Sequence, residues 1–112
     1  MNGTERRRFV RYEVRATIEL RAGGQAYRSE TEDLGAGGCR VAVPAAVEKG
    51  TPVWIRLTSE RAGAAVEGEA SVVWASKDLP CRLGVQFSDE VAELVIPFMR
   101  ALLGPVPVRT GE

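Results

Sequence analysis

The chain contains no histidine. That removes the ordinary Ser–His and Cys–His pairs of nucleophilic catalysis and every imidazole metal ligand. Cysteine is scarce as well: Cys39 and Cys81 lie far apart with no CxxC spacing. The expectation is two buried thiols in a reducing compartment, with no metal site built on them. No apolar run approaches the ~20 residues needed to span a bilayer, and residues 1–20 lack the apolar centre of a secretory leader. These absences predict a cytoplasmic protein with no membrane insertion. Net charge is zero and aromatics make up only 6% of the chain. Neither the electrostatics nor an aromatic stripe favours DNA or RNA. The carboxylates mostly fall on alternating positions, as on solvated faces. Glu30, Glu32 and Asp33 cluster, but strand alternation is expected to put Glu32 opposite its neighbours. With no acid–base pair to be found, neither an enzyme nor a bound cofactor is expected.

What remains is an ordinary globular composition of 112 residues, 45% hydrophobic and 27% charged, which suits one domain with one core. The charge is unevenly placed. Residues 1–28 carry seven arginines against three acids, and the rest of the chain is acidic by the same margin. A basic arm on a compensating body suits a small anionic ligand or a local acidic patch better than long nucleic acid. Residues 1–11 are expected to form a flexible basic arm, and 104–112 a loose tail.

Between them the pattern is mostly period two. Val14, Ala16, Ile18 and Leu20 alternate with Arg15, Thr17, Glu19 and Arg21, which predicts a half-buried strand beginning at Tyr12. Ala22-Gly23-Gly24-Gln25 supplies a turn. A more polar strand follows over about 26–34, then a glycine loop at 35–38. Further strands are expected over 39–43, from 53, over 66–76 and over 81–87. At Asp89 the period changes to three and four. Val91, Leu94, Val95, Phe98, Met99 and Leu102 predict an amphipathic helix with Ser88 as N-cap, kinked or split at Pro97. Residues 12–103 are therefore expected to be all-β with one helix: a six-stranded antiparallel β-barrel with a C-terminal α-helix. Closure hides the strand edges that so small a chain could not otherwise cover.

Two segments carry the chemistry. The first is Arg6-Arg7-Arg8-Phe9-Val10-Arg11-Tyr12, which contains Arg7-x-x-x-Arg11. The second, about twenty residues on, is Asp33-Leu34-Gly35-Ala36-Gly37-Gly38. In this order, the pair resembles the PilZ domain family, whose pattern is RxxxR, a strand hairpin, then D/N-x-S-x-x-G. Val72-Val73-Trp74, Leu83-Gly84-Val85-Gln86-Phe87 and the closing helix are similar too, so the resemblance covers roughly residues 5–103. Each motif alone is common; their combination in matching strand order is specific.

The resemblance implies a ligand, cyclic di-GMP, held by Arg6, Arg7, Arg8, Arg11, Asp33, Gly35, Gly37 and Gly38. The physics fits. A guanidinium fork grips a phosphate or the guanine O6/N7 edge bidentately and stacks on the base. Asp33 would accept from guanine N1–H and N2–H, and Gly37 and Gly38 would let the backbone turn and approach the ligand. Arg6, directly before Arg7, implies contact with a second stacked molecule and a 2:1 complex. Gly35 departs from the family serine, a loss of about 0.5–1.5 kcal/mol if one neutral hydrogen bond goes. The implied role is a receptor or adaptor whose arm orders on the ligand and signals to a protein partner in motility or biofilm control. The alternative is a PilZ-like protein-interaction module that has lost nucleotide binding. Trp54, out of phase with Val53, Ile55 and Leu57, is expected on the surface. Trp74 is expected in the core or rim, and Arg40 and Arg82 as outward charges, with Arg40 able to face the site.

Overall fold

The computed structural model describes residues 11–104, for Arg11 the backbone alone. The expected arm residues Arg6, Arg7 and Arg8, with Phe9, and the tail from Pro105 lie outside the described residues. Seven strands are followed by one helix: β1 (Arg11–Tyr12), β2 (Thr17–Ala22), β3 (Gln25–Gly35), β4 (Gly38–Val43), β5 (Pro52–Thr58), β6 (Val66–Ala75), β7 (Cys81–Phe87) and α1 (Asp89–Leu103). All pairings are antiparallel, in the order β1-β3-β2-β5-β6-β7-β4. A further β3–β4 pairing closes six of the strands into a barrel, as the alternating pattern predicts.

Alternation fills the barrel. Ile18 and Leu20 from β2, Ile55 and Leu57 from β5, and Leu83 and Val85 from β7 are all buried at 1% exposure or less. Their strand neighbours Arg56, Arg82 and Gln86 point outward. Cys39 and Cys81 are both buried in this core. Gly23 and Gly24 turn the chain between β2 and β3 at φ 57 and 84, values that L-residues reach at a cost. The first half of β3 reads polar for a structural reason: its ladder with β4 begins only at Thr31, so Gln25–Glu30 pairs with β2 on one side. Charged side chains suit an open edge.

The first predicted strand is not continuous. β1 and β2 lie along the same edge of β3, with residues 13–16 breaking out of the ladder between them. Thr31, a fully buried polar side chain, bridges the break. Its hydroxyl accepts from the Ala16 amide at 2.9 Å and donates to the Val14 carbonyl at 2.7 Å, while its own amide donates to the Ala16 carbonyl at 2.9 Å. The hydroxyl therefore takes the place of the missing ladder bonds.

Helix α1 is capped as its sequence predicts. The Ser88 Oγ accepts from the Val91 amide at 3.3 Å, and the Gly104 amide closes the C-terminus on the Arg100 carbonyl at 3.1 Å. Val91, Val95, Phe98, Met99 and Leu102 are buried. Val91 sits over Gly68 of β6, where a side chain of its own would overlap it. Two expectations need correction. Of the two outcomes expected at Pro97, a kink or a split, the split does not occur: the helix runs as one element from Asp89 to Leu103. Pro97 lies on its exposed side, where water can satisfy the Glu93 carbonyl that loses its donor. Leu94 does not join the buried stripe; it is 52% exposed.

Candidate functional site

The glycine segment is tighter than the expected loop. Gly35 and Gly38 are a paired strand position, so Ala36-Gly37 alone makes the turn between β3 and β4. Gly38 is not in the left-handed region. Its need is space, because a Cβ there would overlap the Val85 carbonyl oxygen of β7. Close approach of backbone to backbone thus explains Gly38 without a ligand. The Gly37 carbonyl accepts from the Phe87 amide at 2.9 Å, fastening the turn to the end of β7. Because the obstruction at Gly38 is backbone, Gly38→Ala is expected to cost about 2–3 kcal/mol, seen as a fall of about 10 °C or more in Tm by calorimetry.

The backbone of Arg11 pairs with Gly35, and that of Tyr12 with Leu34. The arginine arm therefore joins the barrel opposite the glycine turn, two residues from Asp33. Of the residues expected to bind, Arg11, Asp33, Gly35, Gly37 and Gly38 are brought to one end of β3, while Arg6, Arg7 and Arg8 lie outside the described residues.

Asp33 is enclosed, its side chain 14% exposed, with Oδ2 3.6 Å from Arg40 Nε. The expected separation of Glu32 from its neighbours fails. A bulge sets Thr31 opposite Val41 but Asp33 opposite Arg40, inserting one extra residue and breaking the alternation. Both carboxylates then reach one guanidinium, with Glu32 Oε1 3.2 Å from Arg40 Nε. The other Glu32 oxygen lies 3.3 Å from Arg82 Nε. Arg40 and Arg82 are outward, as expected, and both are held by Glu32. Two acids and two bases balance, so these four side chains offer no net positive charge to an anion.

One register line crosses the site. Asp33 is opposite Arg40, Arg40 opposite Gly84, and Gly84 opposite Trp74. The Trp74 indole lies directly on Gly84, in the volume a Cβ would need. Trp74 is 39% exposed, which puts a rim aromatic beside the Arg40–Asp33 pair. Arg40 and Trp74 are the site neighbours that sequence reasoning left undecided. The signal for Trp74 is Gly84, a glycine between two core positions, Leu83 and Val85.

A family model described as PilZ domain matches residues 5–97. No curated protein sequence matches the chain. Among solved structures, the inhibitor of motility MotI/DgrA of Bacillus subtilis superposes with TM-score 0.69 at 16% identity, over 90% of this chain and 53% of that one. This chain thus spans about half the length of that protein. The PilZ domain of CeSA from a cellulose-synthesizing bacterium gives TM-score 0.62 at 23% identity, covering 85% of this chain and 96% of that one. The PilZ domain of YcgR from Escherichia coli, solved with c-di-GMP, gives TM-score 0.68 at 19% identity, covering 87% and 91%. At these identities the likeness is one of fold. Among the described residues, no helix is long and apolar enough to cross a membrane.

Proposed function

Since the chain belongs to the PilZ domain family, we propose that it is a cyclic di-GMP receptor that signals through a partner protein rather than an enzyme. One observation carries the reading: Arg11 pairs with Gly35, so the RxxxR segment ends on the edge of β3 two residues from Asp33. A doubly charged ligand needs cations, and the balanced Glu32–Asp33–Arg40–Arg82 group supplies none in excess. Arg7 and Arg11, with Arg6 and Arg8 beside them, supply the positive charge. Asp33 orients a guanine through N1–H and N2–H, and Arg40, released in part from Glu32, can turn its fork to the bases or phosphates. The ligand gathers the arm against the barrel and so changes the surface offered to a partner in the cytoplasm.

Calorimetric titration with cyclic di-GMP is expected to give saturable heat with a Kd in the low micromolar range or below, about 8 kcal/mol of binding free energy. The ratio of ligand to protein at saturation reports whether Arg6 recruits a second molecule. No heat near millimolar ligand would favour the second reading, an interaction module without nucleotide binding. That reading draws on Gly35, which lacks the hydroxyl of the family pattern and is buried between Arg11 and Gly38.

A further inference from the structure

On another face of the barrel, an open groove runs between α1 and the β5–β6 ladder. It is lined by Trp54, Glu67, Glu69, Glu90, Glu93 and Leu94. Trp54 and Leu94 are 41% and 52% exposed. Its charge is one-sided. Glu90 and Glu93 stand three apart on the helix, and Glu67 and Glu69 two apart on β6, so both walls of the groove carry carboxylates, with Trp54, Val91 and Leu94 as its apolar lining. Arg56, 3.9 Å from Glu67, gives weak relief. Among the described residues no cation pairs with Glu69, Glu90 or Glu93. Glu90 has a structural role at the positive end of the helix, but that leaves the other three unexplained. Like-charge neighbours of this kind disfavour the fold, and a basic segment removes the cost.

We infer that the groove is a docking site for the leading arginines of the chain's own arm, Arg6 and Arg7, when no nucleotide is bound. The inference rests on the receptor reading for its consequence, not for its geometry. The arm carries three consecutive arginines without an intervening acid, complementary to the carboxylates, and a guanidinium can stack on Trp54. The distance suits it. The register passes from Arg11 to Gly35, Gly38, Gln86 and Ser71, four strand spacings or about 19 Å over the surface. Glu69 lies two residues from Ser71. An extended chain carries Arg6 about 17 Å and Arg7 about 14 Å from Arg11, and their side chains cover the remainder; Arg8, about 10 Å from Arg11, stays short of the groove. At the groove's edge, the Ser88 amide donates to the Glu69 carbonyl at 3.0 Å, and the preceding Phe87 amide to the Gly37 carbonyl at 2.9 Å, so the helix start lies between β6 and the β3–β4 turn. Docked there, the arginines are withheld from Asp33. Nucleotide must draw them away, and the apparent affinity is reduced by the undocked fraction.

A spin label tests this in the full chain. Cys39 and Cys81 are buried, so Asn2→Cys provides a selective attachment point. Without ligand, the label is expected to broaden the amide signals of Glu69, Glu90, Glu93 and Leu94. The triple variant Glu69→Gln, Glu90→Gln, Glu93→Gln should restore them and bind cyclic di-GMP about three- to tenfold more tightly. Sharp groove signals in the ligand-free labelled chain would overturn the inference while leaving nucleotide binding standing. Broadening that responds to the triple variant but not to cyclic di-GMP would uphold the docking and count against the receptor reading. Equal broadening in an unlabelled, isotopically enriched copy mixed with labelled chain would overturn the intramolecular site, because the occupant would then be a second molecule.

Discussion

Arg7→Ala together with Arg11→Ala is expected to abolish cyclic di-GMP binding at micromolar ligand. Each guanidinium makes a charge-assisted contact worth about 1.5–3 kcal/mol, so the pair accounts for about 3–6 kcal/mol, a loss of about two to four powers of ten in affinity. Arg11 contributes a backbone pairing that alanine can also make, and the buried core is built from other residues. Tm should therefore hold while the heat of titration vanishes. Asp33→Ala is a different case. Asp33 is enclosed and paired with Arg40, so its loss removes a guanine acceptor and at the same time frees a cation at the site, two effects of opposite sign on binding an anion. Asp33→Asn retains the shape and reports the charge alone. Full binding by the arginine double variant would place the ligand elsewhere.

Thr31→Val is expected to be the most destabilising of the near-isosteric substitutions in the barrel. Valine fills the threonine volume but leaves the buried Ala16 amide without its acceptor and the Val14 carbonyl without its donor. An orphaned buried polar group costs about 1–3 kcal/mol, so a loss of about 2–5 kcal/mol follows. Urea denaturation should show a lower midpoint at unchanged slope. Thr31→Ser keeps both hydrogen bonds and gives up one methyl group, about 1 kcal/mol. If valine proved as stable as serine, the hydroxyl bridge would not be what holds the break between β1 and β2. Because Arg11 stands just before that break, the valine variant should also loosen the start of the arm.

Much of this architecture was legible in the residues. Ile18 and Leu20, Ile55 and Leu57, Leu83 and Val85 announce their faces by strict alternation, and the change of period at Asp89 announces the helix. What was not legible is local and arises from pairing between distant segments. The bulge after Thr31 depends on where β4 falls in register, so the sequence around Glu32 offers no sign that Glu32 and Asp33 share Arg40. Thr31 reads as one polar residue among several in Ser29-Glu30-Thr31-Glu32-Asp33. Its burial follows from residues 13–16, eighteen to fifteen positions earlier, leaving the ladder. Leu94 has helical spacing but sits at the margin of the stripe, and only the packing of α1 on β6 decides that it stays outside. For the candidate site, the motif spacing brought Arg11 and Asp33 to the same end of β3. The Trp74–Gly84 contact needed the β6–β7 register to be seen.

The amide of Phe87 is spent on the carbonyl of Gly37, and that of Ser88 on the carbonyl of Glu69. These two adjacent protons sit where the hairpin, the last strand and the first turn of the helix meet. Their exchange with deuterated solvent is therefore a gauge built into the backbone. A molecule that seats on the hairpin and steadies it should slow both protons together, whereas one that binds only the arm should leave their exchange as it was.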